Sequence, residues 1–311
     1  MTFDWERIAL TAEQHGVSGL IYRNLNLCQS SGLEIPDKAI QKLKLSNYKN
    51  AVIKERQKER LVRALSFFHD RGLEVMLIKG AALDLCVYEN PDYVLSNDID
   101  IMIRAKREDY SKDFYKEVKT FLHKQGIEFQ FFSHHDMDIN GLLPIDYESI
   151  WEHAERTEFY GFPILFLSPI DLILSLCINS NRKRYFRLKS LCDIHETIQI
   201  KRDIIWPQLG ERAREFQCEN IVFIALLVTL LTTGCNLPLN WDEYLDIHPI
   251  KRKILKTAIN YLVERVSFYP YPFSGKSFAG RAIHFSLVLP YIGYKQDQII
   301  KKISYVARSR N

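Results

Sequence analysis

The chain has 311 residues, 47% of them hydrophobic and 26% charged, and its 42 basic and 38 acidic side chains leave a net charge of +4. At about 150 residues per domain, that length suits two compact domains, each able to bury a core. With only 13 glycines and 11 prolines it is neither collagen-like nor low-complexity, and the slight basic excess argues against packing nucleic acid by charge alone.

Residues 1 to about 70 read as helical, with Ile40, Leu43, Leu45, Leu61, Ala64, Leu65 and Phe68 recurring at spacings of two to four. The charged stretch between them, Lys54 to Arg60, reads as a solvated helix face. After Arg71-Gly72 the texture changes. Glu74 to Ile78 is a short β-like run that ends at Lys79-Gly80, and an Ala- and Leu-rich helix follows to about Tyr88. A turn at Asn90-Pro91-Asp92 leads to a second strand, Asp98 to Ile103, and Glu108 to Lys124 has helical spacing. Further strands are expected at 127–132, 134–139, 143–147 and 162–166. From Ser168 the pattern is helical again, with Ser168 as N-cap, Pro169 at the first position and Asp171 in the first turn. Helices are expected at about 169–180, 184–199, 203–217, 219–233 and 249–266, and in the C-terminal stretch. The fold class is therefore α+β: residues 1–70 form an N-terminal helical segment, 71–167 a mixed β-sheet core, and 168–311 a C-terminal helical domain.

The longest largely apolar run, Ile221 to Leu231, spans 11 residues, against the roughly 20 that cross a membrane, so it reads as a buried helix. Met1 to Leu10 includes Asp4 and Glu6 and reads as no signal peptide. The six scattered cysteines fit reduced core thiols rather than disulfides or structural zinc, and the expected location is cytoplasmic.

The chemistry lies in Lys79-Gly80, Asp98-Ile99-Asp100 and Asp146. In a strand, residues i and i+2 share a face, so Asp98 and Asp100 project two carboxylates side by side while Ile99 and Ile101 turn to the core. Two such carboxylates repel unless a cation lies between them, and hard divalent ions, Mg²⁺ above all, suit oxygen donors. A third acid, Asp146, expected on a neighbouring strand, would complete a site for two Mg²⁺ ions. Gly80 sits where a strand enters a helix, and there the backbone can approach a phosphate.

Three motifs, Lys79-Gly80-Ala81-Ala82-Leu83, Tyr88-Glu89-Asn90-Pro91 and Asp98-Ile99-Asp100-Ile101-Met102, give the chain its family likeness. It resembles the nucleotidyltransferase superfamily with the polymerase-β-like fold, and within it the uncharacterised nucleotidyltransferases. The resemblance spans about residues 60 to 240, running on through Ile145-Asp146 and Leu167 to Leu172 to a basic helix, Arg187 to Ile194. It implies a minimal nucleotidyltransferase core. Asp98, Asp100 and Asp146 would be the catalytic, metal-binding carboxylates, with Asp146 a general base. Lys79 and Gly80 would lie against the triphosphate, and Lys183, Arg187 or Lys189 would reach phosphates from the helical domain. The basic helix ending in Asp193 is also similar to that of distantly related toxin nucleotidyltransferases.

Three departures from the pattern stand out. Ala81 follows Gly80 where the superfamily has serine, Val94 stands where the related group has arginine, and Glu148 stands where that group has histidine. Glu148 is the fallback for Asp146. The expected reaction is Mg²⁺-dependent transfer of a nucleoside monophosphate from an NTP to an acceptor hydroxyl on a small molecule. An RNA 3′ end or a protein is the alternative acceptor, and a non-catalytic nucleotide- or partner-binding protein is the alternative of another class. His134, Asp136 and Asp138 read as polar strand-surface residues rather than a metal site. Ser274-Gly275-Lys276-Ser277 lacks the upstream glycine and strand of a phosphate loop, and Tyr269 to Phe273 reads as a packed loop. Lys301, Lys302, Arg308 and Arg310 read as solvating charges.

Overall fold

The computed structural model describes residues 3–29, 34–96, 98–106, 108, 110–185, 187–201, 204–265, 293, 294 and 298. The segments 269–273 and 274–277, the charges at 301–310 and most of the C-terminal stretch lie outside them. The chain divides into two compact units, one made of residues 1–133 with 154–167, the other of 134–153 with 168–311.

The first unit opens with α1 (Trp5–His15), α2 (Ser18–Gln29) and the 33-residue α3 (Asp37–His69). There follow β1 (Val75–Ile78), α4 (Lys79–Cys86), a 3₁₀ turn at Pro91–Tyr93, β2 (Ile99–Ile103), α5 (Lys112–Gln125) and β3 (Ile127–Phe131). The hairpin of β4 (Glu155–Phe159) and β5 (Phe162–Phe166) completes it. The five strands form one mixed sheet in the order β3-β2-β1-β5-β4. β1 runs antiparallel to β2 and parallel to β5, while β2 and β3 are parallel and joined through α5.

Side-chain alternation gives the sheet two different faces. On one, Val75, Leu77, Ile99, Ile101, Ile103, Ile127, Ile164 and Phe166 pack against Leu61, Ala64, Leu65 and Phe68 of α3, Ala81 and Ala82 of α4, and Val118 and Leu122 of α5. This is the core of the unit. The opposite face carries Asp100, Met102, Glu128 and Gln130.

Three expectations need correction here. Lys54 and Gln57 are not on a solvated face: each is less than one-tenth exposed. Neither 134–139 nor 143–147 forms a strand. Phe132, Ile139, Asn140 and Gly141 all have φ between 54° and 78°, and such left-handed residues end an extended chain. β4, conversely, was not expected. Its Glu-Arg-Thr-Glu sequence has no apolar alternation because it is an exposed edge strand, held by its antiparallel pairing to β5. The Tyr160-Gly161 turn between them has positive φ at both residues, 51° and 81°, as a tight two-residue hairpin requires.

The second unit contains α6 (Tyr147–Glu152), α7 (Pro169–Arg182), α8 (Leu188–Ile200), α9 (Trp206–Glu215), α10 (Glu219–Thr233) and α11 (Pro249–Arg265). Its centre is α10, where every residue from Glu219 to Thr229 is buried, as an all-round apolar helix requires. Ser168 caps α7 as expected, its Oγ accepting from the Asp171 N–H at 3.1 Å. No helix among the described residues is long and apolar enough to cross a membrane. None of the six cysteines is in a disulfide, and burial pushes the Cys192 thiol up to about 12 and Cys235 up to about 11.

Candidate active site

In the first unit, the end of β1, the start of α4 and the matching stretches of β2 and β3 carry four predicted residues, Lys79, Gly80, Asp98 and Asp100, and a newly found one, Glu128. Antiparallel pairing sets Ile78 beside Asp100, and parallel pairing sets Asp100 beside Glu128. Asp98 immediately precedes β2 and is exposed, whereas Asp100 is buried. Glu128 is solvent-accessible, and its carboxyl is pushed above its ordinary 4.5 by the Asp100 carboxylate beside it, then by partial desolvation and by Asp98, with Lys79 opposing. Three carboxylates therefore share one electrostatic environment at the starts of β2 and β3.

Lys79 and Gly80 shape the opposite wall. Lys79 is the first residue of α4, and its Nζ lies 2.7 Å from Asp100 Oδ1, with 16% and 8% of the two side chains exposed. Gly80 is tightly covered: a Cβ there would lie 2.2 Å from Ser96 Oγ and 2.9 Å from Ser96 Cβ. Ser96 Oγ in turn donates to the Asp98 carbonyl at 3.3 Å, so the α4 backbone and the approach to Asp98 are held against each other.

Behind this wall a polar stripe on α3 anchors the connection from α4 to β2. Asn50 Nδ2 donates to the Asp92 carbonyl at 3.1 Å, and Gln57 Nε2 donates to the Ser96 carbonyl at 2.8 Å. Between them Lys54 pairs with Asp84 of α4, both side chains nearly buried. Positions 50, 54 and 57 fall on one face of a helix. The solvated reading of Lys54 to Arg60 missed Lys54 and Gln57 because their partners lie 30 and 39 residues away.

The remaining predicted residues belong to the second unit. Asp146 is not on a strand. It is the N-cap of α6, and its Oδ1 accepts from the Ser149 N–H at 3.3 Å. Glu148 lies in the first turn of α6. Lys183 is the C-cap of α7 and Arg187 the N-cap of α8, both exposed. Lys189 Nζ pairs with Asp193 Oδ2 at 2.7 Å along α8, both side chains largely buried. His134 and His135 sit on turns, where Asp136 is held by Arg182 at 2.8 Å and Asp138 accepts from the Tyr147 hydroxyl at 3.1 Å.

Glu128 was the functional candidate that sequence reasoning missed, although the signal was there. After the Gly126 that ends α5, Ile127-Glu128-Phe129-Gln130-Phe131 alternates strictly, and an acid on the polar side of a sheet strand is the same signature as Asp98-Ile99-Asp100. As donors, Asp98, Asp100 and Glu128 are hard oxygen groups of the kind Mg²⁺ takes, and their mutual repulsion favours a cation. Among the described residues, no three His, Cys, Asp or Glu side chains are already gathered at ligand distance from a common point.

No curated protein and no solved structure matches the chain. A family model described as "Uncharacterised nucleotidyltransferase" matches residues 1–234, from before α1 to the end of α10, and so includes both the sheet and its acids. By that match, the chain belongs to this family and is an enzyme of the nucleotidyltransferase class.

Proposed function

We propose that the enzyme transfers a nucleoside monophosphate from an NTP to a hydroxyl on a small-molecule acceptor, releasing pyrophosphate, with Mg²⁺ held by Asp98, Asp100 and Glu128. The observation carrying this reading is the row formed by Lys79, Asp100 and Glu128 beside the close-packed Gly80 turn. Two carboxylates suited to a metal and an ammonium suited to phosphate oxygens lie on adjoining strand ends and the start of α4, which supports this reading. When bound, Mg²⁺ would supply charge neutralisation at the triphosphate and at the developing pyrophosphate.

The chain's own groups do the rest. The acceptor oxygen forms a bond to the α-phosphorus as the bond from that phosphorus to the bridging oxygen breaks, and pyrophosphate departs. Glu128 takes the hydroxyl proton. Its carboxylate is open to solvent and hence to an acceptor. Lys79 and the Gly80 backbone orient the phosphates, so catalysis is mainly positioning and electrostatics. Asp146, in the second unit, is the competing candidate for the base.

The exposed Lys183, Arg184 and Arg187 favour one second reading, in which the acceptor is an RNA 3′ end and this surface tracks its phosphates. Acceptor binding would then weaken steeply with salt. Transfer of label from an α-labelled NTP, assayed with Asp98→Asn and Asp100→Asn, tests the shared mechanism. Each variant should lose transfer by at least about a hundredfold. Full activity in both contradicts it.

A further inference from the structure

The site carries its own cation. Among the described residues, Lys79 is one of eight non-glycine residues with positive φ, at 55°, and it adopts this conformation at the first position of α4. A left-handed backbone is disfavoured for a residue that carries a Cβ. Here it accompanies an ammonium placed 2.7 Å from Asp100 Oδ1, in a pair of which only 16% and 8% is exposed. Glu128 lies beside Asp100 on the neighbouring strand and Asp98 two residues before it, so the lysine sits among acidic neighbours.

A Mg²⁺ ion binds carboxylate oxygen at about 2.0–2.1 Å, and would therefore stand within about 5 Å of this ammonium if both kept Asp100 Oδ1. At that distance an ammonium and a divalent ion repel each other and compete for the one oxygen. We infer that Lys79 is an internal counter-ion that competes with the divalent metal for Asp100, and that it is drawn off by the triphosphate, so that metal and nucleotide bind cooperatively. The inference rests on the metal reading proposed above. A lysine suits this exchange because its charge is compact and its stem flexible, so the ammonium can leave one anion for another without moving the backbone. In such a device the bare metal binds weakly, and the triphosphate strengthens it by the same factor by which the metal strengthens triphosphate binding. The enzyme then assembles its charged site only when the donor arrives.

The test is Mn²⁺ binding by calorimetry to the full chain, with and without inorganic tripolyphosphate, for wild type, Lys79→Gly, Lys79→Met and Asp100→Asn. Glycine accepts φ 55° without strain, and methionine keeps the bulk of the stem, so the pair separates lost charge from disturbed backbone. In the absence of tripolyphosphate, both Lys79 variants should bind Mn²⁺ about tenfold tighter than wild type, within the usual range of such couplings. Tripolyphosphate should tighten Mn²⁺ binding to wild type by a similar factor and leave the Lys79 variants nearly unchanged. Mn²⁺ affinity in both variants equal to or below that of wild type overturns the inference. If Asp100→Asn at the same time loses Mn²⁺, the metal reading itself still stands. Mn²⁺ binding to none of the four proteins overturns the metal reading, and the counter-ion role falls with it.

Discussion

At Gly80 there is no room for a side chain, and the obstacle is the hydroxyl of Ser96. Gly80→Ala should therefore push Ser96, and with it the approach to Asp98, out of place and lower kcat by about tenfold or more, as small displacements of positioning groups do. The obstacle is local, so the double variant Gly80→Ala/Ser96→Gly should recover most of the loss, and steady-state kinetics on the three proteins would show it. At Glu128, stability and function pull in opposite directions. Its carboxyl is raised above the ordinary value, chiefly by Asp100, so the folded protein holds that proton more tightly than the unfolded chain. Stability therefore falls as pH rises from the unfolded carboxyl range through the raised folded value, and stays reduced above it. Glu128→Gln removes this repulsion. It should melt higher than wild type at pH 7 and close to wild type at pH 3, while transfer drops by at least about a hundredfold. A lower melting temperature at pH 7 would show that Glu128 does not share the Asp100 environment.

Among the elements, α3 matters beyond its apolar packing. Gln57→Leu removes the 2.8 Å donor of the half-buried Ser96 carbonyl, and losing such a hydrogen bond costs about 0.5–1.5 kcal/mol. Chemical denaturation would measure the loss. The activity of the folded fraction should fall too, because Ser96 carries Asp98. Glu74, ahead of β1, is bonded by Arg104 beyond β2 and by Arg156 of β4, which ties three strands at one end of the sheet. Despite desolvation acting the other way, these hydrogen bonds hold its carboxyl below the ordinary value. Its contribution is thus present above the unfolded carboxyl range and lost as pH falls through the depressed value, so Glu74→Gln should cost about 0.5–1 kcal/mol at pH 7 and progressively less in acid. Local signals of this kind also decide what a sequence reveals. β1, β2, β3 and β5 could be read from apolar runs, and the Ser168 cap of α7 from its residue types. β4 could not, because an edge strand needs no apolar face, and Leu143 to Tyr147 misled because its apolar residues serve a turn and the start of α6. Lys79, Gly80, Asp98 and Asp100 were legible because one strand-helix-strand segment holds them. The roles of Asn50, Lys54 and Gln57 were not, because they depend on which distant carbonyl or carboxylate the fold brings to them.

On the scale of the whole molecule, each unit has its own charged anchor inside an apolar frame. In the first it is Lys54 with Asp84. In the second Arg212 Nε meets Asp171 Oδ1 at 2.9 Å, the side chains 13% and 2% exposed, and Arg212 Nη1 reaches Ser149 Oγ at 2.8 Å. Breaking a buried pair from one side leaves an uncompensated charge, so Asp171→Ala should destabilise by about 3–5 kcal/mol, and adding Arg212→Leu should restore part of it. The central claim concerns the first unit's acids. Calorimetric titration of ATP, GTP, CTP and UTP, with and without Mg²⁺, tests it most directly on wild type, Asp100→Asn, Glu128→Gln and Asp146→Asn. The account predicts Mg²⁺-dependent binding of at least one nucleotide to wild type and to Asp146→Asn, with that binding lost in Asp100→Asn and Glu128→Gln. Nucleotide binding that survives unchanged in Asp100→Asn and Glu128→Gln would contradict it.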